Sequence, residues 1–284
     1  MKEAKKDFKI ERIVYFTLES FYSSAAINKI VEKYKDKVVL ICASQRFGGK
    51  YGSFFHQFRK NLGNSGFYFV DYISFHFVYY KIFIYISDII NWILRKPKKV
   101  YSLSQLSKKY NIPIVRVKEI NSAEKVEMIK KHKPDLIIVS FFDHLLKKEI
   151  IEIPKYGVIN IHPGKLPEYR GLFSSFWQVI NNNPGVCATV HWINERFDEG
   201  DILKQSCLQQ DREDSILSMD YKSLDLGSDL LFDVIEEIEC GENRSTKQVD
   251  GRYFSYPSKE DVKIIKDKEI KLFKLRDFFK IYFT

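Results

Sequence analysis

Cysteine is scarce in this sequence, and its few copies lie far apart. The four cysteines among 284 residues are Cys42, Cys187, Cys207 and Cys240, and no two of them form a Cys-x-x-Cys pair. This spacing argues against a zinc site and against a disulfide framework. We therefore expect a protein of the reducing cytoplasm.

Export and phosphate-binding signals are also missing. Residues 1–10, MKEAKKDFKI, lack the apolar core of a signal peptide, and the chain contains neither a GxGxxG nor a GKS/T pattern. The stretch SQRFGGKYG, residues 44–52, offers backbone N–H groups to an anion, but a flexible loop is the favoured interpretation. Nothing in these stretches indicates export, and the familiar nucleotide-binding signatures are excluded.

Apolar and basic residues, in contrast, are abundant. Hydrophobic residues make up 45% of the chain, including 23 Phe and 17 Tyr, which is ample apolar surface for a globular core. The 46 basic and 37 acidic residues give a net charge of +9, which attracts phosphorylated metabolites, nucleotide-linked sugars, RNA or membrane surfaces. Because the two signs are interleaved, the charge favours nucleic acid only slightly.

Short apolar runs alternate with helix-like stretches through the first half of the chain. Strand-like runs cover residues 12–17, 37–43, 112–117 and 135–142, and helix-like stretches cover residues 20–34, 102–110 and 122–131. This order predicts an α/β fold with a Rossmann-like, mostly parallel sheet and helices on both faces. The run at 135–142, DLIIVSFF, is almost continuously apolar, so we expect it to be a central strand.

A long aromatic segment, residues 67–94, interrupts this alternation. It is long enough to span a bilayer, but four ionisable residues interrupt it, namely Asp71, His76, Lys81 and Asp88. We expect a helix that packs on the core, on a partner subunit or on a membrane surface. The basic run RKPKK that follows keeps membrane-surface binding through residues 67–99, as well as a homodimer, among the expected partners.

Residues 158–203 bring several polar groups together in one short span. The segment begins VINIHPGKLPEYRG and ends RFDEGDIL. Asn160 and His162 point to the same side of a strand by its two-residue period, and Pro163 ends that strand. Since ligands of parallel sheets bind beyond the carboxyl ends of the strands, both side chains are expected to face one pocket. Asp198 follows the next predicted strand, residues 186–193.

An amide, an imidazole and a carboxylate suit the attack of an amine on a carbonyl group. The amide holds the oxygen on which charge develops, and the other two groups move protons. The alternative is architectural: His162 makes hydrogen bonds that hold the fold, and Asp198 makes a turn with Gly200. Spacing alone leaves both interpretations open.

The runs NIHPGKLPEYRG, residues 160–171, and FDEGDI, residues 197–202, resemble the formyltransferase family that uses 10-formyltetrahydrofolate. Glycinamide ribonucleotide formyltransferase and methionyl-tRNA formyltransferase typify that family. The similarity covers about residues 100–205 well, whereas the amino-terminal strands fit only by pattern.

The resemblance implies that Asn160, His162 and Asp198 are catalytic, that 10-formyltetrahydrofolate is the formyl donor, and that no metal is required. Asn160 and His162 would stabilise the tetrahedral oxyanion, while Asp198 supports proton transfer to the leaving nitrogen. The implied folate-binding residues are Phe141, Phe142, Asp143, Leu145, Leu146, Asn194 and Phe197. The candidate acceptor contacts are Lys165, Tyr169 and Arg170.

The motif departs from the family pattern at Gly164 and Lys165, where the family often has serine and leucine, and at Glu199, where it has threonine. None of these departures removes a catalytic residue. Lys165 is expected to alter the substrate entrance or to bind a phosphate group.

We expect a catalytic domain at residues 1–210, with an aromatic helical insertion at about 54–99, and a C-terminal helix and extension at 211–284. Methionyl-tRNA formyltransferases carry a β-barrel domain there, and the roughly 75 residues here are expected to be too few for one. The preferred acceptor is therefore a small anionic amine, and the candidate that we favour is a nucleotide-linked amino sugar. Initiator methionyl-tRNA is the alternative acceptor, and a non-catalytic folate-binding or membrane-associated scaffold is the alternative class.

Overall fold

The strands of the protein form one large and one small sheet. The computed structural model describes residues 8–45, 53–183 and 185–283, so most of the candidate anion-binding loop at 44–52 lies outside the described residues. The strands are β1 (Ile13–Thr17), β2 (Val38–Ser44), β3 (Ile114–Val117), β4 (Leu136–Ser140), β5 (Val158–His162), β6 (Arg170–Gly171), β7 (Gly185–Trp192), β8 (Ile202–Gln209) and β9 (Tyr253–Phe254). Seven of them form a sheet in the order β3-β2-β1-β4-β5-β7-β8, and β6 pairs with β9.

Pairing in the large sheet changes direction once. Strands β3, β2, β1, β4 and β5 are parallel, and β7 and β8 continue the sheet in antiparallel pairing. All five residues of β4 are buried, which confirms it as a central strand. The mostly parallel, Rossmann-like α/β sheet is confirmed as well.

Helices cover both faces of this sheet. They are α1 (Ser23–Lys33), α2 (Phe54–Ser74), α3 (Tyr80–Leu94), α4 (Leu103–Tyr110), α5 (Ala123–Lys131), α6 (Lys148–Ile151), α7 (Ser174–Ile180), α8 (Ile216–Glu239), α9 (Lys259–Asp267) and α10 (Leu275–Phe283). Alternate residues of β1 divide the core: Tyr15 packs in the cluster that contains α1 and α8, and Phe16 in the cluster that contains α5. This division follows from the two-residue period of a strand.

The aromatic segment, residues 67–94, is helical throughout. Helix α2 is kinked at Gly66, and a π-helical turn, Phe75–Tyr79, joins α2 to α3. The turn carries His76 and Phe77 into a cavity above the sheet. π-Helical turns within α-helices occur frequently at functional sites.

Strand β8 and one disulfide correct the expectations from the sequence. The sequence contains no clear signal for β8. It is an edge strand whose residues are half-buried or exposed, so its hydrophobic pattern is weak. Its Cys207 faces Cys187 of β7 in the antiparallel register, and the structure joins the two in a disulfide. The spacing argument against a disulfide framework did not anticipate this single disulfide, because cross-strand register, rather than sequence spacing, brings the two thiols together.

Helix α8 packs directly on the strands that lead to the cavity. A Cβ atom on its Gly227 would lie 2.3 Å from the side chain of Ile161 in β5, so the close approach requires glycine. Its first turn is capped by Ser215, whose hydroxyl accepts from the backbone N–H of Ser218. A domain boundary at residue 210 stays a prediction.

Candidate active site

A cavity of about 1040 Å³ opens at the carboxyl ends of the parallel strands. It lies where β1, β4 and β5 end, which is the edge at which open α/β sheets bind ligands. Asn160, His162 and Asp198 all line it. The side chains that the two-residue period predicted to share one side therefore do so, and Asp198 joins them from the turn after β7.

The amide of Asn160 has a defined orientation. Its Nδ2 lies 3.0 Å from Nε2 of His191, which faces it on β7. His191 Nδ1 lies 2.8 Å from the backbone carbonyl of Trp192, and since a carbonyl only accepts, Nδ1 carries the proton. Nε2 is then the acceptor, so Asn160 donates one N–H to His191. The second N–H of the amide remains to serve the cavity.

His191 stays neutral at ordinary pH. Burial lowers the pKa of this imidazole to about 4, against the smaller opposing influence of the Asp198 carboxylate. Its 3.7 Å approach to Asp198 is therefore not an ion pair. Sequence reasoning missed His191, because its role follows from its register opposite Asn160.

His162 is buried and held by its other ring nitrogen. Nε2 donates to the backbone carbonyl of Tyr169 at 2.7 Å, and the hydroxyl of Ser174 lies 3.1 Å from the same nitrogen. In the neutral ring Nδ1 is therefore the unprotonated nitrogen. Nδ1 lies 3.6 Å from Oδ1 of Asp198, so it can accept a proton beside a carboxylate.

Asp198 connects the two segments of the sequence motif. Its Oδ2 accepts from the backbone N–H of Gly171 at 2.9 Å, which leaves Oδ1 directed at the two imidazoles. Gln248 holds the turn from outside, because its side-chain N–H donates to the carbonyl groups of Asp198 and Gly200. The carboxylate is thus fixed by partners that are distant in sequence.

Three residues around the cavity have backbone strain. Phe141, Phe173 and Asp198 adopt φ values of 49°, 57° and 54°. This left-handed region is tolerated by aspartate but is unfavourable for bulky side chains such as phenylalanine. Strained conformations of this kind cluster at functional sites, where the surrounding structure holds them in place.

Gly164, one of the departures from the family pattern, has a steric explanation. A Cβ atom at this position would lie 2.6 Å from the Cβ of Ser174 and 3.0 Å from Nε2 of His162. Glycine therefore leaves the space in which Ser174 contacts His162. The neighbouring Lys165 forms an ion pair with Glu168 at 2.5 Å and is not among the cavity-lining residues.

The other candidate residues divide between the cavity and its surroundings. Of the seven candidate folate-binding residues, Phe141, Phe142, Asp143 and Phe197 line the cavity. The structure places Leu146 in the core, Leu145 half-buried and Asn194 exposed, and none of the three lines the cavity. Two of the candidate acceptor residues contact the residues of the site instead of lining the cavity. The backbone carbonyl of Tyr169 accepts a hydrogen bond from His162, and Arg170 donates to Gln248 and pairs with Glu199.

The wall opposite the sheet comes from the first half of α2, just before the aromatic segment. Its cavity-lining residues include Gln57, Lys60, Asn61 and Asn64 of α2. Their spacing of i, i+3, i+4 and i+7 makes one polar stripe on a helix that is otherwise largely apolar. Sequence reasoning missed this stripe, although its period was readable. Across the described ranges, no group of three or more His, Cys, Asp or Glu side chains is placed to hold a metal ion.

A buried carboxyl group lies deeper in the cavity wall. Tyr72 of α2 donates its hydroxyl to Oδ2 of Asp220 at 2.6 Å, and both residues line the cavity. Burial raises the pKa of Asp220 to about 6, although hydrogen bonds from Tyr72 and Ser175 act in the opposite direction. This pair ties the aromatic segment to α8.

Replacing Asp220 with asparagine is expected to remove part of the pH dependence of folding. The folded pKa lies above the ordinary value, so between about pH 4 and about pH 6 the folded chain binds more protons than the unfolded chain. The free energy of unfolding therefore falls as pH rises through this window, by ~3 kcal/mol. Asp220→Asn keeps an oxygen that accepts from Tyr72, so it should exceed the wild type in stability above about pH 6 and match it near pH 4.

Urea unfolding at a series of pH values measures this difference. Asp36→Asn, at an exposed position, is the matched control and should leave the profile unchanged. The lowered pKa of His191 has the opposite pH dependence but affects both proteins equally, so it cancels in the comparison. Parallel profiles for Asp220→Asn and the wild type would contradict the prediction.

Comparison with known families matches residues 93–235, about half of the chain, to the family described as formyl transferase. Among curated proteins, methionyl-tRNA formyltransferase of Fusobacterium nucleatum is 34% identical over 157 residues, which are 54% of this chain and 50% of that protein. The chain spans about half the length of the curated relatives it matches.

Solved structures share the fold at low sequence identity. An N-formyltransferase from Helicobacter canadensis, in complex with folinic acid and dTDP-3-aminofucose, has a TM-score of 0.53 at 17% identity, covering 87% of this chain and 71% of its own. Phosphoribosylglycinamide formyltransferase from Streptococcus pneumoniae has a TM-score of 0.51 at 15% identity, covering 81% of this chain and 99% of its own. These likenesses concern the fold alone.

Proposed function

This chain belongs to the formyl transferase family, and from that premise we propose that it transfers a formyl group from 10-formyltetrahydrofolate to a primary amine. The best acceptor is a small anionic amine, a nucleotide-linked amino sugar. One observation carries the proposal: an amide N–H, an unprotonated imidazole nitrogen and a carboxylate converge in one cavity at the end of β5. This set matches what amine attack on a carbonyl requires.

Asn160 is proposed to stabilise negative charge on the formyl oxygen. The hydrogen bond to His191 fixes the amide so that its nitrogen, rather than its oxygen, is the group held against the imidazole. A donor fixed in advance costs no reorganisation when charge develops. His191 is thus a positioning residue for Asn160.

His162 and Asp198 are proposed to move the proton. The attacking amine must lose a proton, and Nδ1 of His162 is the unprotonated nitrogen that can take it. The carboxylate of Asp198, 3.6 Å away, stabilises the imidazolium that results. The imidazolium is then proposed to give this proton to the folate nitrogen as the bond from that nitrogen to the formyl carbon breaks, so that tetrahydrofolate leaves and His162 is neutral again. The hydrogen bond from Nε2 to Tyr169 holds the ring in this orientation throughout.

The cavity fits a folate together with an acceptor. Its volume of about 1040 Å³ is at the upper end of the range for a single small-molecule site. Leu18, Phe77, Phe141 and Phe142 supply apolar and aromatic surface for a planar pteridine ring. The bound folate supplies an activated formyl carbon, and the residues described above supply the proton transfer and the charge stabilisation.

The remaining wall suits a small anionic acceptor. Lys60 contributes positive charge from the polar stripe of α2, and Tyr253 and Tyr256 contribute rings on which a nucleobase can stack. The segment 252–261 forms β9 and contributes part of this wall. The described residues 211–283 fold into α8, α9, α10 and β9.

Initiator methionyl-tRNA is the second candidate acceptor. The curated relatives that match at 31–34% identity are methionyl-tRNA formyltransferases, and the net charge of +9 suits a nucleic acid. This alternative requires RNA binding that weakens steeply as salt concentration rises.

An acceptor panel tests the proposal. The purified chain is mixed with 10-formyltetrahydrofolate and, in separate reactions, dTDP-3-aminofucose, glycinamide ribonucleotide or initiator methionyl-tRNA, and tetrahydrofolate release and product mass are measured. We expect turnover with the nucleotide sugar. Lys60→Gln should raise KM for it about tenfold, because a charge-assisted contact is lost. Arg59→Gln, next to Lys60 but outside the cavity lining, is the matched control.

Each other outcome changes a different part of the proposal. Turnover with methionyl-tRNA alone would replace the amino sugar by tRNA and keep the formyl transfer. A folate analogue that binds without turnover on any of the three amines would contradict the enzymatic proposal and favour a scaffold.

A further inference from the structure

Helix α3 turns its apolar side away from the protein. Its exposed residues include Ile82, Tyr85, Ile86, Ile89, Trp92 and Ile93, with Trp92 81% and Tyr85 67% exposed. They recur at i, i+3, i+4, i+7, i+10 and i+11, so they form one continuous stripe. We call this stripe the outer face of α3. Scattered apolar residues are ordinary on a surface, whereas a contiguous stripe of this kind marks an interaction site.

The opposite side of α3 is anchored in the fold by polar contacts. Tyr80 donates its hydroxyl to Oε1 of Glu19 at 2.7 Å, and Asp88 accepts from Nε2 of Gln105 at 2.9 Å and pairs with Lys98. Its buried residues are Tyr80, Ile84, Ser87 and Asn91. Phe83 and Ile84 also pack against the core from this side, but a surface helix of a globular protein normally has its whole apolar stripe inside and a polar outer face.

Positive charge surrounds the outer face. Residues 78–99 contain five basic side chains and one acidic one, and the acidic one, Asp88, is already paired with Lys98. Lys81 on the helix and Arg95, Lys96 and Lys99 after it are exposed. Aromatic and aliphatic side chains flanked by exposed Lys and Arg are the composition of helices that lie on anionic bilayers.

We propose that the outer face of α3 docks the protein on an anionic bilayer surface, with the helix lying parallel to the membrane plane. The aromatic and aliphatic side chains enter the boundary between headgroups and acyl chains. Lys81, Arg95, Lys96 and Lys99 contact the anionic headgroups.

The anchored side of the helix decides between lying on the membrane and crossing it. The helical segment Phe55–Leu94 is long and apolar enough to cross a bilayer by length and composition, and 22% of its most apolar stretch is buried. Its middle part is nevertheless fixed to the fold, since Ser65 donates to the carbonyl of Pro257 and Tyr80 to Glu19. Helix α3 alone, with 15 residues, is about 22 Å long, which is short of the roughly 30 Å hydrocarbon core.

Charge also decides between a membrane and a second copy of this chain. A second copy has the same net charge of +9 and the same basic flank, so like charges would approach each other. An anionic bilayer supplies the complementary sign over a surface large enough for the whole stripe.

Vesicle binding by the full chain tests this proposal. The wild type is sedimented with vesicles of phosphatidylglycerol and phosphatidylcholine, and with vesicles of phosphatidylcholine alone. We expect stronger binding to the first, weakened by salt. The double variant Ile89→Glu with Trp92→Glu should bind at least about tenfold more weakly. Lys96→Gln with Lys99→Gln should weaken binding about fivefold per charge and reduce the salt sensitivity.

Control variants separate the outer face from general surface hydrophobicity. Val249→Glu places one such charge at an apolar side chain that is 75% exposed elsewhere, and it should bind vesicles nearly like the wild type. In the wild type, tryptophan fluorescence should shift to the blue on binding, and Trp92→Phe should lose most of that shift while still binding. Circular dichroism should be the same for all variants, because the substituted residues are exposed.

Three results would overturn the proposal. The first is that the wild type does not sediment with phosphatidylglycerol vesicles. The second is that the double variant Ile89→Glu with Trp92→Glu binds them as well as the wild type does. The third is that the wild type is a dimer, the double variant is a monomer, and neither binds vesicles. The last result would make the outer face an interface between two copies of the chain.

Discussion

His162→Gln is expected to lower kcat by about 10²- to 10⁴-fold, the usual contribution of a positioned acid–base group. Glutamine can still donate a side-chain N–H to the carbonyl of Tyr169, as Nε2 of His162 does, so the local hydrogen bond is kept. What it lacks is a nitrogen that accepts a proton next to Asp198. The measurement is single-turnover formyl transfer to the acceptor that the panel identifies.

The control for this variant is His132→Gln, at the carboxyl end of α5 and outside the cavity lining, which should keep full activity. Binding of a folate analogue and the urea midpoint should be nearly unchanged in His162→Gln, because the side chain is proposed to act on the proton rather than on the donor. Wild-type turnover by His162→Gln would remove His162 as the proton acceptor and return it to an architectural role.

Asn160→Ala is expected to lower kcat by about 10²- to 10³-fold, the range observed when one donor to a developing oxyanion is removed. KM for the formyl donor should change little, because the hydrogen bond strengthens only as charge develops. Asn160→Asp should be worse still. It replaces the donor with a carboxylate close to that of Asp198, and like charges in one site repel each other.

Asn243→Ala, in the exposed turn after α8, is the matched control and should be fully active. A rise in KM with kcat unchanged would show that Asn160 binds the substrate instead of stabilising charge. Combining Asn160→Ala with His162→Gln should cost less than the sum of the single effects, since residues that act together on one step are not additive.

Much of the sheet was predictable because strand formation leaves a local record in the sequence. The runs that became β1, β2 and β4 are almost continuously apolar, and that pattern belongs to strands covered on both faces. β8 left no such record, because an edge strand with half-buried side chains gains little from an apolar pattern. The disulfide between Cys187 and Cys207 was unpredictable for a related reason, as it depends on the register of β7 against β8.

The candidate site likewise has features that the sequence predicts and features that it does not. The sequence by itself determined that Asn160 and His162 share one side of a strand that ends at Pro163, since a two-residue period and a proline are local properties. Only the tertiary structure placed His191 behind Asn160, Gly171 on Asp198 and Asp220 against Tyr72. These pairs join residues that are distant in sequence, so no local period records them.

The aromatic segment shows the limit most clearly. Its composition determined that residues 67–94 are apolar and interrupted by charge, and the spacing of its residues was compatible with a helix facing the core, a partner or a membrane. Only packing decided that the polar stripe of α2 lines the cavity while the apolar stripe of α3 faces outward. The reason is physical: helical periodicity defines which residues share a face, but the direction of that face is set by what the rest of the chain packs against it.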